Sequence, residues 1–95
     1  MRYAHATDDN QAAIVKALRK AGVRVTVVSM FPGLGFDLIA TRGDTLRLLE
    51  AKDGTLPPSR RALTDAEKRA QRDFPNWWRE VLSVEQALAE FGVHP

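Results

Sequence analysis

The segment GFDLIATRGDTLRLLEAK, residues 35–52, consists of two apolar runs joined by Arg-Gly-Asp-Thr. The runs predict two β-strands. Gly43-Asp44 fits the two-residue turn of a hairpin, with glycine at the first central position as a type II′ turn prefers. Three charged residues, Asp37, Glu50 and Lys52, lie at the outer end of this predicted hairpin. Charges are uncommon in such apolar surroundings, and they raise the question of a functional site.

A two-residue turn fixes which residues of the hairpin face each other. Arg42 pairs with Thr45, and the same register continued outward sets Asp37 directly opposite Glu50, with Cβ atoms roughly 4.5–5.5 Å apart. Lys52 is two residues beyond Glu50 and projects from the same face. A longer turn changes the register but keeps the acids and the lysine at the same end. A structural ion pair is the alternative interpretation, but it does not account for two opposed acids.

Length and composition favour one globular domain over residues 1–95. The chain is 44% hydrophobic and 27% charged, with no cysteine and a net charge of +2. The lack of cysteine excludes disulfides and thiolate metal sites and favours a cytoplasmic location. No apolar run is long enough to cross a membrane. The small net charge is compatible with a nucleic-acid partner but does not demand one.

One helix and one strand are predicted before the hairpin. N-cap residue types at positions 7–10 precede an amphipathic stretch that Gly22 ends. Residues 23–29 are rich in β-branched side chains and predict a strand. This strand and the two strands of the hairpin can form an antiparallel meander. The apolar stripe of the helix contains Gln11, Ile14, Val15 and Leu18.

The second half of the chain completes an α/β order. Residues 64–67 match a capping box, so a second helix opens at Thr64 and cannot pass Pro75 without a break. Residues 79–84 predict a short fourth strand. Ser83 can then cap a closing helix that Gly92 ends. The predicted order is helix, three strands, helix, strand, helix.

Opposed carboxylates at the end of a hairpin indicate a cation site. They repel each other unless something neutralises them. Mg²⁺ characteristically takes one or two carboxylates and keeps several waters, and Mn²⁺ is the alternative ion. Lys52 would then orient or deprotonate an attacking water, or stabilise charge that develops on a phosphate.

The pattern of Asp37 followed thirteen residues later by Glu50-Ala51-Lys52 resembles the signature of the PD-(D/E)XK nuclease superfamily. The predicted order is similar to its restriction-endonuclease-like αβββαβ core, here with a closing C-terminal helix. From about Asp8 to Gly92 the chain resembles small stand-alone VRR-NUC-like and Holliday-junction-resolvase-like nucleases, many of phage or prophage type. The segments that carry the likeness are, in order, DDNQAAIVKALRKAG, GLGFDLIA, LLEAKDG, PPSRRALTDAEK and VLSVEQAL.

The resemblance implies roles for the residues at the end of the hairpin. Asp37 and Glu50 would bind the metal, with the Ala51 carbonyl as a further ligand, and Lys52 would be the catalytic lysine. The proline that usually precedes the first acid is Phe36 here.

Two further departures concern the helices. Many relatives carry a first-helix glutamate that faces the site, and the nearest candidate here is Gln11, with Asp8 and Asp9 just before it. Gln11 could instead be a capping-box partner of Asp8. Glu67 occupies a position that is often glutamine in the second helix, and capping of Thr64 is favoured over a role as ligand.

Basic and aromatic residues follow the triplet. Arg60 and Arg61 lie on the next loop and are candidates to hold DNA phosphates. Lys68, on the second helix, is a further candidate for DNA binding, although solvated basic residues on a helix are common. The aromatic residues Phe74, Trp77 and Trp78 could stack on bases, but packing is favoured for at least two of them.

The sequence as a whole favours a Mg²⁺- or Mn²⁺-dependent DNA endonuclease that hydrolyses phosphodiester bonds in branched or structured DNA such as Holliday junctions. A junction has two symmetric scission sites, so a homodimer is expected. The alternative is a non-cleaving DNA-binding or assembly module that retains the nuclease fold. A nuclease acting on RNA is a third possibility.

Overall fold

The computed structural model describes the backbone of residues 2–94 and the side chains of residues 9–94. Four strands form one mixed sheet in the order β1-β2-β3-β4, in which the first three are antiparallel and β4 runs parallel to β3. The α/β class, the order of elements and the antiparallel meander are as predicted. The helices and strands are α1 (Arg2–Lys20), β1 (Arg24–Val27), β2 (Leu38–Arg42), β3 (Thr45–Ala51), α2 (Asp65–Asp73), β4 (Trp78–Val81) and α3 (Val84–Ala89).

The hairpin between β2 and β3 has the predicted register. Arg42 pairs with Thr45, and regular pairing continues to Leu38 opposite Leu49. Gly43 has a φ of 60°, and every described residue with positive φ is a glycine, so Asp44 has negative φ as the second central residue of a type II′ turn requires. The prediction of a two-residue turn is confirmed.

The two faces of the sheet are covered unequally. α1 and α3 pack against one face, where Leu38, Ala40, Leu49 and Val81 are almost completely buried. A smaller cluster on the other face lies partly under α2 and contains Phe36, Leu48, Ala70 and Trp78. Because side chains alternate along β3, Leu49 and Ala51 face α1, whereas Leu48 and Glu50 lie on the face of α2.

The first helix begins earlier than predicted. α1 starts at Arg2, so positions 7–10 lie inside the helix instead of capping it. The preceding sequence contains alanine at positions 4 and 6 and no glycine or proline, so it gives no reason to stop a helix. The alternative of a capping box between Asp8 and Gln11 is wrong for the same reason, because Asp8 lies inside α1 and not at its N-cap. Within the described part of the chain, no helix is both long and apolar enough to span a membrane.

The bounds near the C-terminus also differ from the prediction. β4 ends at Val81 because the next amide, that of Leu82, donates to Oε1 of Gln86 at 2.9 Å instead of to a strand. Ser83 caps α3 as predicted, with its Oγ accepting from the amide of Gln86 at 3.1 Å. α3 itself ends at Ala89, and Gly92 follows it with a φ of 75°.

Candidate active site

The end of the hairpin brings the two predicted acids together, but not through the regular ladder. The amide of Asp37 donates to the carbonyl of Leu49 at 2.8 Å, whereas the continued register would pair Asp37 with Glu50. Oδ2 of Asp37 accepts from the amide of Ala51 at 3.0 Å. The Asp37 carboxyl therefore lies over the last residues of β3, close enough to Glu50 for its charge to affect that carboxyl.

Lys52 lies between two carboxylates. Its Nζ is 2.8 Å from Oε1 of Glu67 and 3.7 Å from Oε2 of Glu50. The Lys52 side chain is only 16% exposed. The predicted projection of Lys52 and Glu50 from the same face agrees with this geometry, and α2 adds a third acid to the group.

Glu67 caps α2, the role that the sequence favoured, and it also makes an ion pair that the sequence did not predict. Its Oε1 accepts from the Thr64 amide at 3.0 Å, and its own amide donates to Oγ1 of Thr64 at 3.2 Å, which is a complete capping box. The same Oε1 also pairs with Lys52. Glu67 is therefore a cap of α2 and a member of the charged cluster.

The loop before Asp37 holds α2 in the position that brings Glu67 to the site. Gly35 has a φ of 84°, and a Cβ at this position would lie deep inside the contact distance of the Ala66 carbonyl oxygen. The carbonyl of Gly35 accepts from Nε1 of Trp78 at 2.8 Å. The loop is thus fixed between α2 and β4, and only glycine permits so close an approach of α2.

Burial and mutual repulsion disfavour the charged forms of both acids. Burial, followed by the charges of Asp37 and Glu67, raises the pKa of Glu50 to about 9 despite the nearby Lys52. Burial also raises the pKa of Asp37, and this outweighs the lowering by the hydrogen bonds from Ala51 and Glu50. The pair therefore retains a proton near neutral pH unless another cation neutralises it.

Lys52 remains charged at neutral pH. Burial by itself lowers its pKa, but the hydrogen bond to Glu67 and the charges of Glu50, Glu67 and Glu80 outweigh burial, so the pKa is raised. A lysine in this state is a cation that can stabilise negative charge, and it is poorly suited to accept a proton from water.

The donor set fits a hard divalent cation with water in its shell. Among the described residues, no group of three or more His, Cys, Asp or Glu side chains has the arrangement of a complete metal centre. Asp37 and Glu50, whose charges act on each other, match the one or two carboxylates that Mg²⁺ takes from proteins. Because their charged forms are disfavoured in each other's presence, a cation between them would replace the retained proton.

The predicted supporting residues on α1 have contacts of their own. Nε2 of Gln11 donates to Oγ of Ser29 at 3.2 Å, and both residues line a groove between α1 and β1. Asp9 is exposed on α1. Support of the site by Gln11 or Asp9 therefore stays a prediction.

The predicted DNA-binding residues differ in what they contact. Arg60 is exposed at the end of a 3-10 helix, Pro58–Arg60, and Lys68 is exposed on α2. Nε of Arg61 donates to the carbonyl of Leu56 at 2.8 Å, so this arginine also stabilises its own loop. Their contacts with phosphate remain predictions.

Two residues near the cluster were not predicted from the sequence. Nδ2 of Asn10 donates to the carbonyl of Lys52 at 2.7 Å and so ties α1 to the end of β3. Glu80 lies opposite Glu50 in the parallel ladder and adds negative charge near Lys52. Neither contact has a local signal in the sequence, because each depends on how elements distant along the chain pack.

Comparisons of the chain with models of protein families, with curated proteins and with solved structures each found no match. The resemblance to a nuclease superfamily therefore rests on the quoted residues alone.

Proposed function

We propose that this chain is a Mg²⁺- or Mn²⁺-dependent DNA endonuclease with a restriction-endonuclease-like αβββαβ core. One observation carries the proposal: Asp37, Glu50 and Lys52, which resemble a nuclease signature in the sequence, meet at one end of the hairpin. A structural ion pair would need one acid for this lysine. Here two acids pair with it, and one of them, Glu50, also lies near Asp37, with the pKa of both acids raised.

The acids would hold the ion, with the Ala51 carbonyl as a further ligand. A bound Mg²⁺ supplies Lewis acidity and lowers the pKa of its water. The hydrogen bond from the Ala51 amide fixes one oxygen of Asp37. This fixed geometry orients the carboxylate and removes part of the cost of arranging it when the ion binds.

Lys52 would stabilise the negative charge that develops on the phosphate. Its pKa is raised, so it reaches the reaction as a cation. The hydrogen bond to Glu67 holds its Nζ in place before substrate arrives. Preorganised positive charge of this kind lowers the barrier of phosphoryl chemistry without accepting a proton.

Branched or structured DNA is the proposed substrate, bound by a homodimer. The exposed Arg60 and Lys68 would contact phosphates, which fix the position of DNA without reading its sequence. Two copies of the site related by a two-fold axis match the symmetry of a four-way junction.

The test is cleavage of labelled four-way junction, flap and plain duplex DNA with Mg²⁺, Mn²⁺ or EDTA. We expect metal-dependent cutting by the wild type and a loss of about 10²–10³-fold in Lys52→Ala, the usual cost of removing a group that stabilises charge in the transition state. Lys20→Ala, which removes an exposed lysine at the end of α1, is the matched control and should cut normally. Equal cutting by Lys52→Ala and wild type would reject the proposed role of the site.

A non-cleaving DNA-binding or assembly module is the second candidate. The observation that favours it is the position of Gln11, which contacts Ser29 instead of adding a ligand to the acid cluster. In this case DNA would be bound in both Mg²⁺ and EDTA but cut in neither. A parallel series with RNA versions of the substrates distinguishes the remaining possibility of a nuclease acting on RNA.

A further inference from the structure

The face of the sheet that carries the acid cluster continues into an apolar pocket. On β3, Leu48 lies two residues from Glu50 and on the same face of the sheet. At a rise of about 3.3 Å per residue, the pocket begins roughly 7 Å from Glu50 along this strand. Its volume is about 420 Å³, and its lining residues are Phe36, Ile39, Leu46, Leu48, Phe74 and Trp77.

Two aromatic side chains form an open wall of this pocket. Phe74 is 40% exposed and Trp77 is 39% exposed. Phe36 supports the wall from below, with its ring edge-to-face against Phe74 at a centroid distance of 6.4 Å. The wall is therefore held in place while its outer surface remains open to solvent.

Trp77 and Trp78 are adjacent in the sequence but have different surroundings. Trp78 is 5% exposed and donates its indole N–H to the carbonyl of Gly35, so it belongs to the core. Trp77 instead lines the pocket beside Leu46 and Leu48. An indole that remains accessible next to apolar side chains offers a flat surface for another planar group.

We propose that this pocket receives an unpaired nucleobase next to the phosphate bound at the acid cluster, an inference that rests on the proposed endonuclease function. The pocket opens on the face of the sheet that carries Glu50, so one DNA strand could contact both the pocket and the acid cluster. A lining of apolar and aromatic side chains suits stacking of a base, which is tolerant of sequence. A base inside a duplex is already stacked and cannot enter, so the pocket selects DNA with unpaired nucleotides.

Binding of a fluorescent base tests the proposal without requiring cleavage. The probe is a flap DNA with one 2-aminopurine in the unpaired strand, moved one nucleotide at a time through the junction, in EDTA and in Ca²⁺. We expect 2-aminopurine at one position to be quenched by the wild type and not by Trp77→Ala. Loss of one stacked base should weaken binding about five- to hundredfold.

Control variants separate stacking from other effects of the substitution. Trp77→Phe keeps an aromatic ring and should retain most of the affinity. Phe31→Ala removes an exposed aromatic residue outside the pocket and should leave both quenching and affinity unchanged. Far-ultraviolet circular dichroism and the urea midpoint establish that each variant is folded.

The outcomes distinguish this inference from the proposed function. Position-specific quenching that requires Trp77 supports the pocket even if no DNA is cut. Metal-dependent cutting with equal quenching at every position, or with no effect of Trp77→Ala on binding, overturns the pocket and leaves the nuclease proposal standing. A change in oligomeric state of Trp77→Ala by sedimentation, with DNA binding unaltered, would assign the pocket to a second copy of the chain and also overturn it.

Discussion

Glu50 makes the stability of the metal-free protein depend on pH at the scale of a single residue. Its pKa is raised from 4.5 to about 9 in the folded protein, mainly by burial. Between these values the folded state retains a proton that the unfolded chain has released. The free energy of unfolding should therefore fall as the pH rises from about 4.5 to about 9, by a few kcal/mol.

Glu50→Gln removes this titration and should flatten the decline. Urea unfolding in EDTA at a series of pH values measures the effect, and the variant should exceed wild type in stability at pH 8. Glu80→Gln is the matched control, because Glu80 pairs with Glu50 across β3 and β4 but is exposed. A decline that is as steep in Glu50→Gln as in wild type would contradict the assignment.

Substitutions at Glu67 and Thr64 can separate the effect of the Glu67 charge on Lys52 from the effect of the N-cap on α2. Glutamine at the third position of a helix can still complete a capping box, so Glu67→Gln should cost α2 little. It removes the negative charge 2.8 Å from Nζ of Lys52, and the pKa of Lys52 should fall. Thr64→Ala does the reverse: it should cost about 1 kcal/mol of stability through the lost cap and leave the lysine charged.

The titration of Lys52 is measured by NMR of lysine side chains labelled with ¹³C. A fall in Glu67→Gln without a comparable fall in Thr64→Ala is the expected pattern. An equal pKa of Lys52 in wild type and Glu67→Gln would mean that the ion pair with Glu67 does not influence this pKa in solution.

At the scale of elements, the contact of α2 with the loop before β2 positions the site. Gly35→Ala combines a φ of 84° with a Cβ that would lie 2.8 Å from the Cβ of Ala70. α2 must move, so we expect a loss of several kcal/mol and a displaced Glu67. Gly33→Ala, in the same loop, meets nothing within 4 Å and should change stability by less than about 1 kcal/mol in urea unfolding.

Local sequence rules predicted the elements whose geometry is local. The Gly43-Asp44 turn fixed the register from Arg42 through Leu38, and the capping box opened α2 where expected. The rules failed where packing between elements determines the geometry. The offset of Asp37 onto Leu49 arises where the ladder ends, and no periodicity encodes it.

Contacts between elements that are distant along the chain likewise could not be predicted from the sequence. The bond from Asn10 to Lys52 spans 42 positions, and its donor lies in a stretch that looked like the start of a helix. Glu67 was recognised as a cap because a cap is local, but its pairing with Lys52 requires the position of α2 over the sheet. The candidate residues of the site could thus be chosen from the sequence, whereas their protonation states could not.

At the scale of the whole molecule, binding of the proposed ion should stabilise the fold. An ion present at 100 times its Kd for the folded protein adds about 2.7 kcal/mol, which for a domain of this size raises Tm by about 10–20 °C. The shift should be larger at pH 8 than at pH 6, because the ion competes with the proton on Glu50. Differential scanning calorimetry with Mg²⁺ or EDTA measures it.

Asp37→Asn is the control for this stabilisation. It removes one carboxylate while its side-chain oxygen can still accept from the Ala51 amide. The variant should fold, and its Tm should respond little to Mg²⁺. A Mg²⁺ shift of equal size in wild type and Asp37→Asn would place the ion elsewhere on the molecule.

The shared oxygen of Glu67 links the fraying of a helix end to the chemistry of the site. Because Oε1 accepts from both the Thr64 amide and Nζ of Lys52, unwinding the first turn of α2 would release the lysine. The exchange of the Thr64 and Glu67 amide protons with solvent deuterium would report how often this happens. Slower exchange at these two amides on addition of DNA would show that substrate binding stabilises the first turn of α2. The same change would stabilise the ion pair that holds Lys52 in place.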